Sequence, residues 1–371
     1  MPSVAILSSV HAAFDTRIFQ KQARALAQGG YDVTFVVPHE RAETVDGVRI
    51  RPLPPVRGRV ERMVRAQVRI LREALRLRAD VYHFHDPELI PVGLVLKLMG
   101  KRVIYDVHED VPKSIRGKTY LAGWVRGPLA LVVGLVEKAA ARAFDLVILA
   151  RDDIEDSFRG HPRTLLVRNY PSRAAFPRVE PPPRSGSDFM VVYTGGLTAG
   201  RGAVEMVEAM GRMNSGVHAR LVIFGRFWPE ALEHQVRALP GFARVDYRGW
   251  VPYEVLPQEL ARADAGIVCF LPEPNNMNAG PTKLFEYMAC GLPVVVSDFP
   301  LWREVVEGND CGLCVDPEDP AAIAAALERL AGCPERRRSM GENARRAVER
   351  IYNWETEAAR LLEAYARLLA R

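Results

Sequence analysis

At 371 residues, with 48% hydrophobic and 26% charged residues, the chain has a globular balance and enough length for two domains with a core each. That composition excludes a disordered or integral-membrane polypeptide. The net charge of +5 is unevenly shared: residues 1–177 hold 28 Lys+Arg against 19 Asp+Glu, a balance of +9, and the remainder hold 22 against 26, a balance of −4.

The first stretch, Met1 to Leu7, has no basic leader and runs straight into a short strand, Val4–Leu7, which predicts a protein without a signal peptide. The longest apolar run, Pro128 to Val136, is far short of the roughly 20 residues that span a bilayer. The expected location is cytoplasmic, or peripheral on the inner membrane face. Thr16 to Gln28 places Phe19, Ala23, Leu26 and Ala27 at helical spacing, and Gly29-Gly30 stops that helix. Val33–Val37, Val81–Phe84, Val103–Asp106, Leu146–Leu149 and Thr164–Val167 are further short apolar runs, mostly separated by helical stretches. That alternation predicts a parallel sheet covered by helices on both faces.

Residues 171–188 are rich in proline, polar and without period, and are expected to be a linker. The alternation then restarts with strands at Phe189–Tyr193, Arg220–Phe224, Arg244–Tyr247, Ala265–Phe270, Pro293–Val296 and Gly312–Val315. The architecture expected is α/β, with two doubly wound Rossmann-like domains facing across a cleft. The N-terminal domain is 1–170, the C-terminal domain 189–353, and the amphipathic helix 354–371 crosses back to the first domain. Ligands then fall at the carboxyl ends of the strands. The five cysteines, Cys269, Cys290, Cys311, Cys314 and Cys333, include one CxxC pair without a second pair at ligand spacing, and read as reduced thiols.

Two segments could carry chemistry. In the run Asn278-Ala279-Gly280-Pro281-Thr282-Lys283-Leu284-Phe285-Glu286, a loop of small and polar residues ends at Pro281, which suits the first helical position. The helix N-terminus is then an anion site, Lys283 adds a positive charge one turn in, and Glu286 can reach vicinal hydroxyls such as those of a ribose. An ordinary packed helix with solvated Lys and Glu is equally compatible with that spacing. The second segment, Tyr193-Thr194-Gly195-Gly196-Leu197-Thr198-Ala199-Gly200-Arg201-Gly202, follows a strand, lets backbone approach a ligand at its glycines, and brings Arg201 towards a phosphate. A glycine turn used only for packing is the alternative. Neither this segment nor Ser8-Ser9-Val10-His11-Ala12-Ala13-Phe14 is GxGxxG, so a nicotinamide-dinucleotide fold lacks its fingerprint.

The run Lys283 to Val295 resembles the signature of the retaining glycosyltransferases of family 4, which have the GT-B fold. Asp15-x-Arg17 with Gly30-Tyr31-Asp32-Val33, Tyr105-Asp106-Val107-His108-Glu109, Gly249-Trp250-Val251-Pro252, Leu260-Ala261-x-Ala263-Asp264 and Trp354-Glu355 agree with it, in order, over nearly the whole chain. By that resemblance Glu286 hydrogen-bonds the ribose of a sugar nucleotide, UDP- or GDP-linked. Arg201 and Lys283 neutralise the diphosphate beside the backbone of Gly195, Gly196, Gly280, Pro281 and Thr282. His108 contacts the donor sugar near its anomeric centre; a satisfied surface histidine is the alternative. The family's first acid of a spaced pair is replaced here by Asn278. Gly196 stands where many members carry an arginine, which shifts work to Arg201 or to Arg226 in Phe224-Gly225-Arg226. Base selection would rest on loops near Gly225 and Val251. No covalent nucleophile, cofactor or metal is implied: transfer in this family is described as front-face attack in which the leaving diphosphate helps take the acceptor proton.

For the acceptor, residues 57–80 form a basic helix with Arg62, Arg65, Arg69, Arg72 and Arg76 on one stripe, either a solvated face or a surface for anionic headgroups and lipid diphosphates. Residues 116–136 add Arg116, Lys118, Tyr120, Trp124 and Arg126 before the apolar run, a pattern suited to a membrane interface. The expected partners are a nucleotide sugar, a carbohydrate or lipid-linked acceptor and an anionic membrane surface. His83 and His85, at the end of a strand, are secondary candidates for ligand contact. A nucleotide-sugar epimerase on the same fold is the competing enzyme class; a basic nucleic-acid-binding module is weaker, because no aromatic-interleaved basic patch or recognition motif supports it.

Overall fold

The structure is a computed structural model that describes residues 1–54, 65–117, 122–180 and 188–370. Arg62, Lys118 and Tyr120 lie outside the described residues, as does 181–187 of the expected linker. The chain divides into two compact units, Met1–Asn169 with Glu355–Arg371, and Tyr170–Trp354.

The first unit is built on an eight-stranded sheet in the order β3-β4-β2-β1-β5-β6-β7-β8. Its strands are β1 Ser3–Leu7, β2 Asp32–Pro38, β3 Glu43–Val45, β4 Val48–Leu53, β5 Val81–Phe84, β6 Arg102–Val107, β7 Leu146–Leu149 and β8 Thr164–Leu166. All neighbours are parallel except β3, which pairs antiparallel with β4. The central strands are buried on both faces, as a parallel sheet between helices requires, and this is why they read as unbroken apolar runs. The edge hairpin was not anticipated. In β4, Val48 and Ile50 are buried while Arg49 and Arg51 are exposed, so only one face is apolar. Asp46 and Gly47, both at positive φ (50° and 80°), make the tight Asp-Gly turn between β3 and β4 that is its local signal.

The helix expected from Thr16 starts at Ile18. It is wound as a π-helix over Ile18–Ala23 and continues as α-helix over Arg24–Gln28. The basic helix is described over Gln67–Leu77. Ile70 and Ala74 are its buried residues, and Val68 on the supposedly covered side is 45% exposed, so it lies on the surface. From Glu355 onward the helix Trp354–Leu369 belongs to the first unit: Leu361 and Tyr365 are fully buried, and Glu357 accepts a hydrogen bond from the Arg168 backbone at 3.0 Å.

The second unit holds a six-stranded, all-parallel sheet in the order β11-β10-β9-β12-β13-β14. The strands are β9 Phe189–Thr194, β10 Ala219–Phe224, β11 Val245–Gly249, β12 Ala265–Val268, β13 Val294–Ser297 and β14 Gly312–Val315. The stretch read as a linker begins inside this unit. Tyr170 and Phe176 are buried in its core, and the Phe176 carbonyl accepts from Arg345 Nη1 at 2.9 Å. Phe176 within the stretch and Tyr170 just before it tie it to this core.

In both sheets the strand order reverses beside the first strand of the unit: β1 lies between β2 and β5, and β9 between β10 and β12. Loops leaving the carboxyl ends there diverge to opposite faces and open a crevice, the usual ligand position in open α/β sheets.

Candidate functional site

In the second unit, β9 ends at Thr194, whose backbone N–H donates to the buried Tyr287 hydroxyl at 2.7 Å. The chain then turns at Gly195, whose φ of +95° a side-chain-bearing residue rarely adopts. A Cβ on Gly195 would come 3.4 Å from Lys283 Nζ, and one on Gly196 would come 3.2 Å from Arg201 Nη1, so both cations are close against this turn. Gly202, at φ +69°, lets the turn lie against the residue that follows β12: a Cβ there would overlap the Cys269 carbonyl oxygen.

Arg201 donates from Nη1 to the Gly196 carbonyl at 2.9 Å, and Tyr193 Oη donates to the same oxygen at 2.9 Å. Lys283 is in an unusual position. Its Nζ is shut off from solvent, has no hydrogen-bond partner, and sits 3.7 Å from the centroid of the Tyr193 ring and 5.3 Å from that of Phe270. Burial holds its pKa well below that of an ordinary lysine, and Arg201 adds to the effect, with Glu286 opposing it. The amine is thus left without an acceptor, beside a guanidinium and a glycine turn.

Pro281 caps this helix rather than opening it: its ψ of 128° is extended and Thr282 is the first helical residue of Thr282–Ala289. Glu286 on the same helix is buried, and its Oε1 accepts from Tyr253 Oη at 3.0 Å. The other donor candidates are less integrated. Arg226 offers its carbonyl to Leu197 N–H at 2.9 Å while its side chain is exposed, Val251 packs on the core, and Asn278 and Gly280 are exposed after the short helix Pro274–Met277. Tyr193 was read only as the start of its segment, and Phe270, beside Lys283, and Tyr253, bonded to Glu286, were not singled out; aromatic residues at strand ends and in loops are indistinguishable from core by sequence.

In the first unit the carboxyl ends of β1, β5 and β6 gather a buried polar cluster. Asp106, an acid inside the apolar β6, has no exposed surface. Arg17 Nη2 donates to its two oxygens at 2.9 and 3.1 Å, and Gln22 Nε2 donates at 2.5 Å. Burial alone would raise the Asp106 pKa, but the Arg17 guanidinium and the neighbouring imidazoles outweigh it and hold the carboxyl well below its usual range. Around it stand His83, His85 and His108. His85 Nδ1 lies 3.0 Å from His108 Nε2, and His83 Nδ1 lies 2.8 Å from Tyr365 Oη of the C-terminal helix. Burial pulls the His108 pKa down to about 4, with Arg17 and His11 reinforcing and Asp106 opposing, so at neutral pH its ring is uncharged.

His11 is the opposite case. Burial also lowers it, but Asp15 (3.5 Å from Nδ1) and Asp86 (3.3 Å from Nε2) prevail and raise its pKa to about 10. A charged His11 ring thus stands 5.2 Å from the neutral His108 ring. His11, Asp86 and the Tyr365 contact were not singled out from the sequence. The signal that could have found them is the set of polar residues directly after apolar strands.

Among the described residues, His83, His85 and Asp106 bring one ligand atom each within 4.8 Å of one another. Arg17 and Gln22 already occupy the Asp106 oxygens, and a cation placed beside the Arg17 guanidinium away from water is opposed by it, so the trio does not suit a metal. Of the acceptor candidates, Arg65 and Arg72 are exposed, Arg69 is half-buried, and Trp124 is 83% exposed at the start of the helix Gly123–Ala141.

Two Rossmann-like parallel-sheet units, with the C-terminal helix returned to the first, are the GT-B architecture. Solved structures share it: sucrose-phosphate synthase from Thermosynechococcus elongatus superposes with a TM-score of 0.78 at 20% identity over 100% of both chains. Anabaena HepE in complex with UDP and glucose gives 0.74 at 15% identity, over 98% of this chain and 99% of that one. The profile of Glycosyltransferase Family 4 matches residues 16–178 and that of Glycosyl transferases group 1 matches 179–347. This chain belongs to that family: it is a retaining glycosyltransferase that moves a sugar from a nucleotide-sugar donor. Curated relatives include the phosphatidyl-myo-inositol mannosyltransferase of Mycobacterium leprae, 26% identical over 93% of this chain and 88% of its own length. Another is the MMP alpha-(1->4)-mannosyltransferase of Mycolicibacterium hassiacum, 23% identical over 79% and 72% respectively.

Proposed function

We propose that the second unit binds the donor's diphosphate at the turn Gly195–Gly202 and Lys283, that Glu286 takes the ribose, and that the first unit supplies His108 to the transferred sugar. The observation that carries this reading is the Lys283 amine, buried without an acceptor beside Gly195 and Arg201. A diphosphate entering there gives the Lys283 amine the acceptor it lacks and favours its charged form. Full charges and preorganised N–H groups at that position stabilise the leaving diphosphate as the glycosidic bond breaks, which is the work a divalent cation does in other transferases. The acceptor hydroxyl attacks on the face the diphosphate leaves, and its proton passes to a diphosphate oxygen. A neutral His108 donates a hydrogen bond to the sugar and adds no positive charge beside the developing oxocarbenium ion. UDP and GDP sugars are the donors to test first, by calorimetric titration. A protein that binds none of UDP, GDP or their sugars, or binds them equally well as Lys283→Met, contradicts the assignment.

The acceptor we propose is amphipathic and anionic, a lipid-linked precursor or polysaccharide intermediate met at a membrane surface. On the helix Gly123–Ala141, Leu131, Val132, Leu135 and Val136 are each 57–60% exposed, and Trp124 more so. The one acid of that helix, Glu137, is buried and accepts from Tyr105 Oη at 2.6 Å, so the exposed face carries no carboxylate beside Arg126 and Lys138. Apolar side chains interleaved with cations are the composition that lies at a headgroup boundary. Among the described residues no helix is long and apolar enough to cross a membrane. The relative from Mycobacterium leprae is named for a phosphatidyl-inositol acceptor, which agrees with this choice. Flotation with vesicles containing anionic lipid at low salt tests it, and failure to float removes the membrane from the reading.

A further inference from the structure

The cluster around Asp106 holds information about a proton. His85 is fully enclosed, and burial, with the neighbouring His83, holds it uncharged at neutral pH. A neutral imidazole has one N–H and one bare nitrogen. His85 Nδ1 faces His108 Nε2 at 3.0 Å and has Asp106 Oδ2 behind it at 3.6 Å; His85 Nε2 is shut off from solvent and meets no partner.

Two arrangements are open. With the proton on His85 Nε2, a buried N–H is left without an acceptor and a lone pair on Nδ1 points at a carboxylate. With the proton on Nδ1, the donor is used, the carboxylate favours it, and what remains unpaired is a lone pair. An orphaned buried N–H is the costlier and rarer of the two defects. The second arrangement therefore prevails, and it dictates the state of the next ring. His108 Nε2 accepts from His85, so the single proton of neutral His108 resides on Nδ1. His108 Nε2 also lies 3.6 Å from Asp106 Oδ1, beyond hydrogen-bond reach, and Arg17 already donates to that oxygen at 2.9 Å.

The surroundings oppose any second proton on His108. Arg17 and the charged His11 face it, and Asp106 is already matched by Arg17 and Gln22. His85 is itself held from behind: the His83 ring stacks on it at 4.4 Å, and Tyr365 Oη fixes His83 Nδ1 at 2.8 Å.

We propose that His85 is a positioning residue that locks His108 in its Nδ1–H form, so that His108 meets its ligand as a neutral hydrogen-bond donor through Nδ1. The ligand this suits is an uncharged oxygen acceptor, a hydroxyl or ring oxygen of the donor sugar; a phosphate oxygen would instead draw a second proton onto the ring. The inference deepens the role given above to His108, but the position of the proton stands independently of any activity.

The test is a long-range proton–nitrogen correlation spectrum of the protein labelled with 15N-histidine, whose eight histidines are few enough to assign by single substitution. In the wild type, His108 is expected to show a protonated Nδ1 and a bare Nε2, unchanged from pH 8 down to pH near 5. A His108 carrying its proton on Nε2, or a charged ring at pH 6, overturns the proposal, and the wild type alone decides this even if a variant misfolds. His85→Asn, whose amide N–H can take the place of Nδ1–H, should preserve the tautomer, whereas His85→Leu should give a mixture. With UDP-glucose as the donor probe, kcat should fall roughly tenfold or more in His85→Leu and much less in His85→Asn, with the donor KM unchanged in both. If the wild type turns over no sugar nucleotide while the tautomer is as stated, the functional reading fails and this inference survives.

Discussion

The Lys283 amine lies 3.7 Å above the Tyr193 ring, enclosed and without a hydrogen-bond acceptor. An amine buried in this way has its charged form disfavoured, which costs the empty protein stability that a bound anion would restore. Lys283→Met should therefore weaken UDP or GDP binding about tenfold or more while leaving the melting temperature equal to or above that of the wild type. The pH dependence has a definite sign. The folded pKa is depressed below the unfolded value near 10.4, so the unfolded chain binds more protons and wild-type stability rises with pH up to that value. The thermal advantage of the Met variant should shrink between pH 7 and pH 9, which a melting series on the two proteins would read directly.

Glu286 and His108 are assigned different tasks, and their variants should separate. Glu286→Ala removes the proposed ribose contact and should weaken nucleotide affinity by about 1–3 kcal/mol, the usual loss for a charged hydrogen bond. His108→Ala should leave nucleotide affinity within twofold and lower turnover by a factor of about a hundred. Equal losses of affinity by calorimetry in both variants would count against the division of roles.

His11 carries a pH-dependent share of stability. Its folded pKa is raised to about 10 from an ordinary value near 6.5, so its contribution is full below pH 6.5 and is lost as pH rises through 10. The site is partly open to solvent, which reduces the effect to roughly 1–2 kcal/mol. His11→Asn should be less stable than the wild type at pH 6 and approach it by pH 10 in denaturant titrations. A difference that grows with pH has the wrong sign.

Asp106 should be the least replaceable residue of the first unit. Asp106→Asn keeps the shape but leaves the 6%-exposed Arg17 without its counter-charge, at a cost of about 3–5 kcal/mol. Arg17→Met together with Asp106→Asn should recover part of that loss, because no unpaired charge is then buried. Denaturation midpoints for the two singles and the double variant measure the coupling, and simple additivity would exclude it.

Much of the scaffold was legible in the residues. β5, β7 and β14 begin and end where the short, mostly apolar runs do; β5 and β7 lie inside the sheet, nearly all of their residues buried, so no alternation confuses the reading. β3 and β4 escaped it because their arginines and Pro52 disguise a one-faced edge, although Asp46-Gly47 marked the turn. Gly195, Gly196, Arg201 and Lys283 were singled out as candidates from a glycine turn and a helix N-terminus, and the family pattern then gave them expected roles. The state of Lys283 was not legible: nothing in Pro-Thr-Lys-Leu distinguishes a solvated amine from one folded back over a tyrosine. The histidine cluster is a similar case. His85 and His108 are 23 positions apart, and only the register of β5 against β6, Phe84 beside Tyr105, brings them within 3.0 Å.

The return of the last helix to the first unit has a consequence for how the protein is made. Tyr365, Leu361 and Glu357 complete the interior that Met1–Asn169 begins, and the Tyr365 hydroxyl reaches His83 of β5 from 282 positions away. On the ribosome, Tyr31 and His83 stay without their Tyr365 contacts until all of the second unit has been synthesised. The half translated first is thus finished last, and a premature stop anywhere before Tyr365 spoils the end of the molecule that was built at the start.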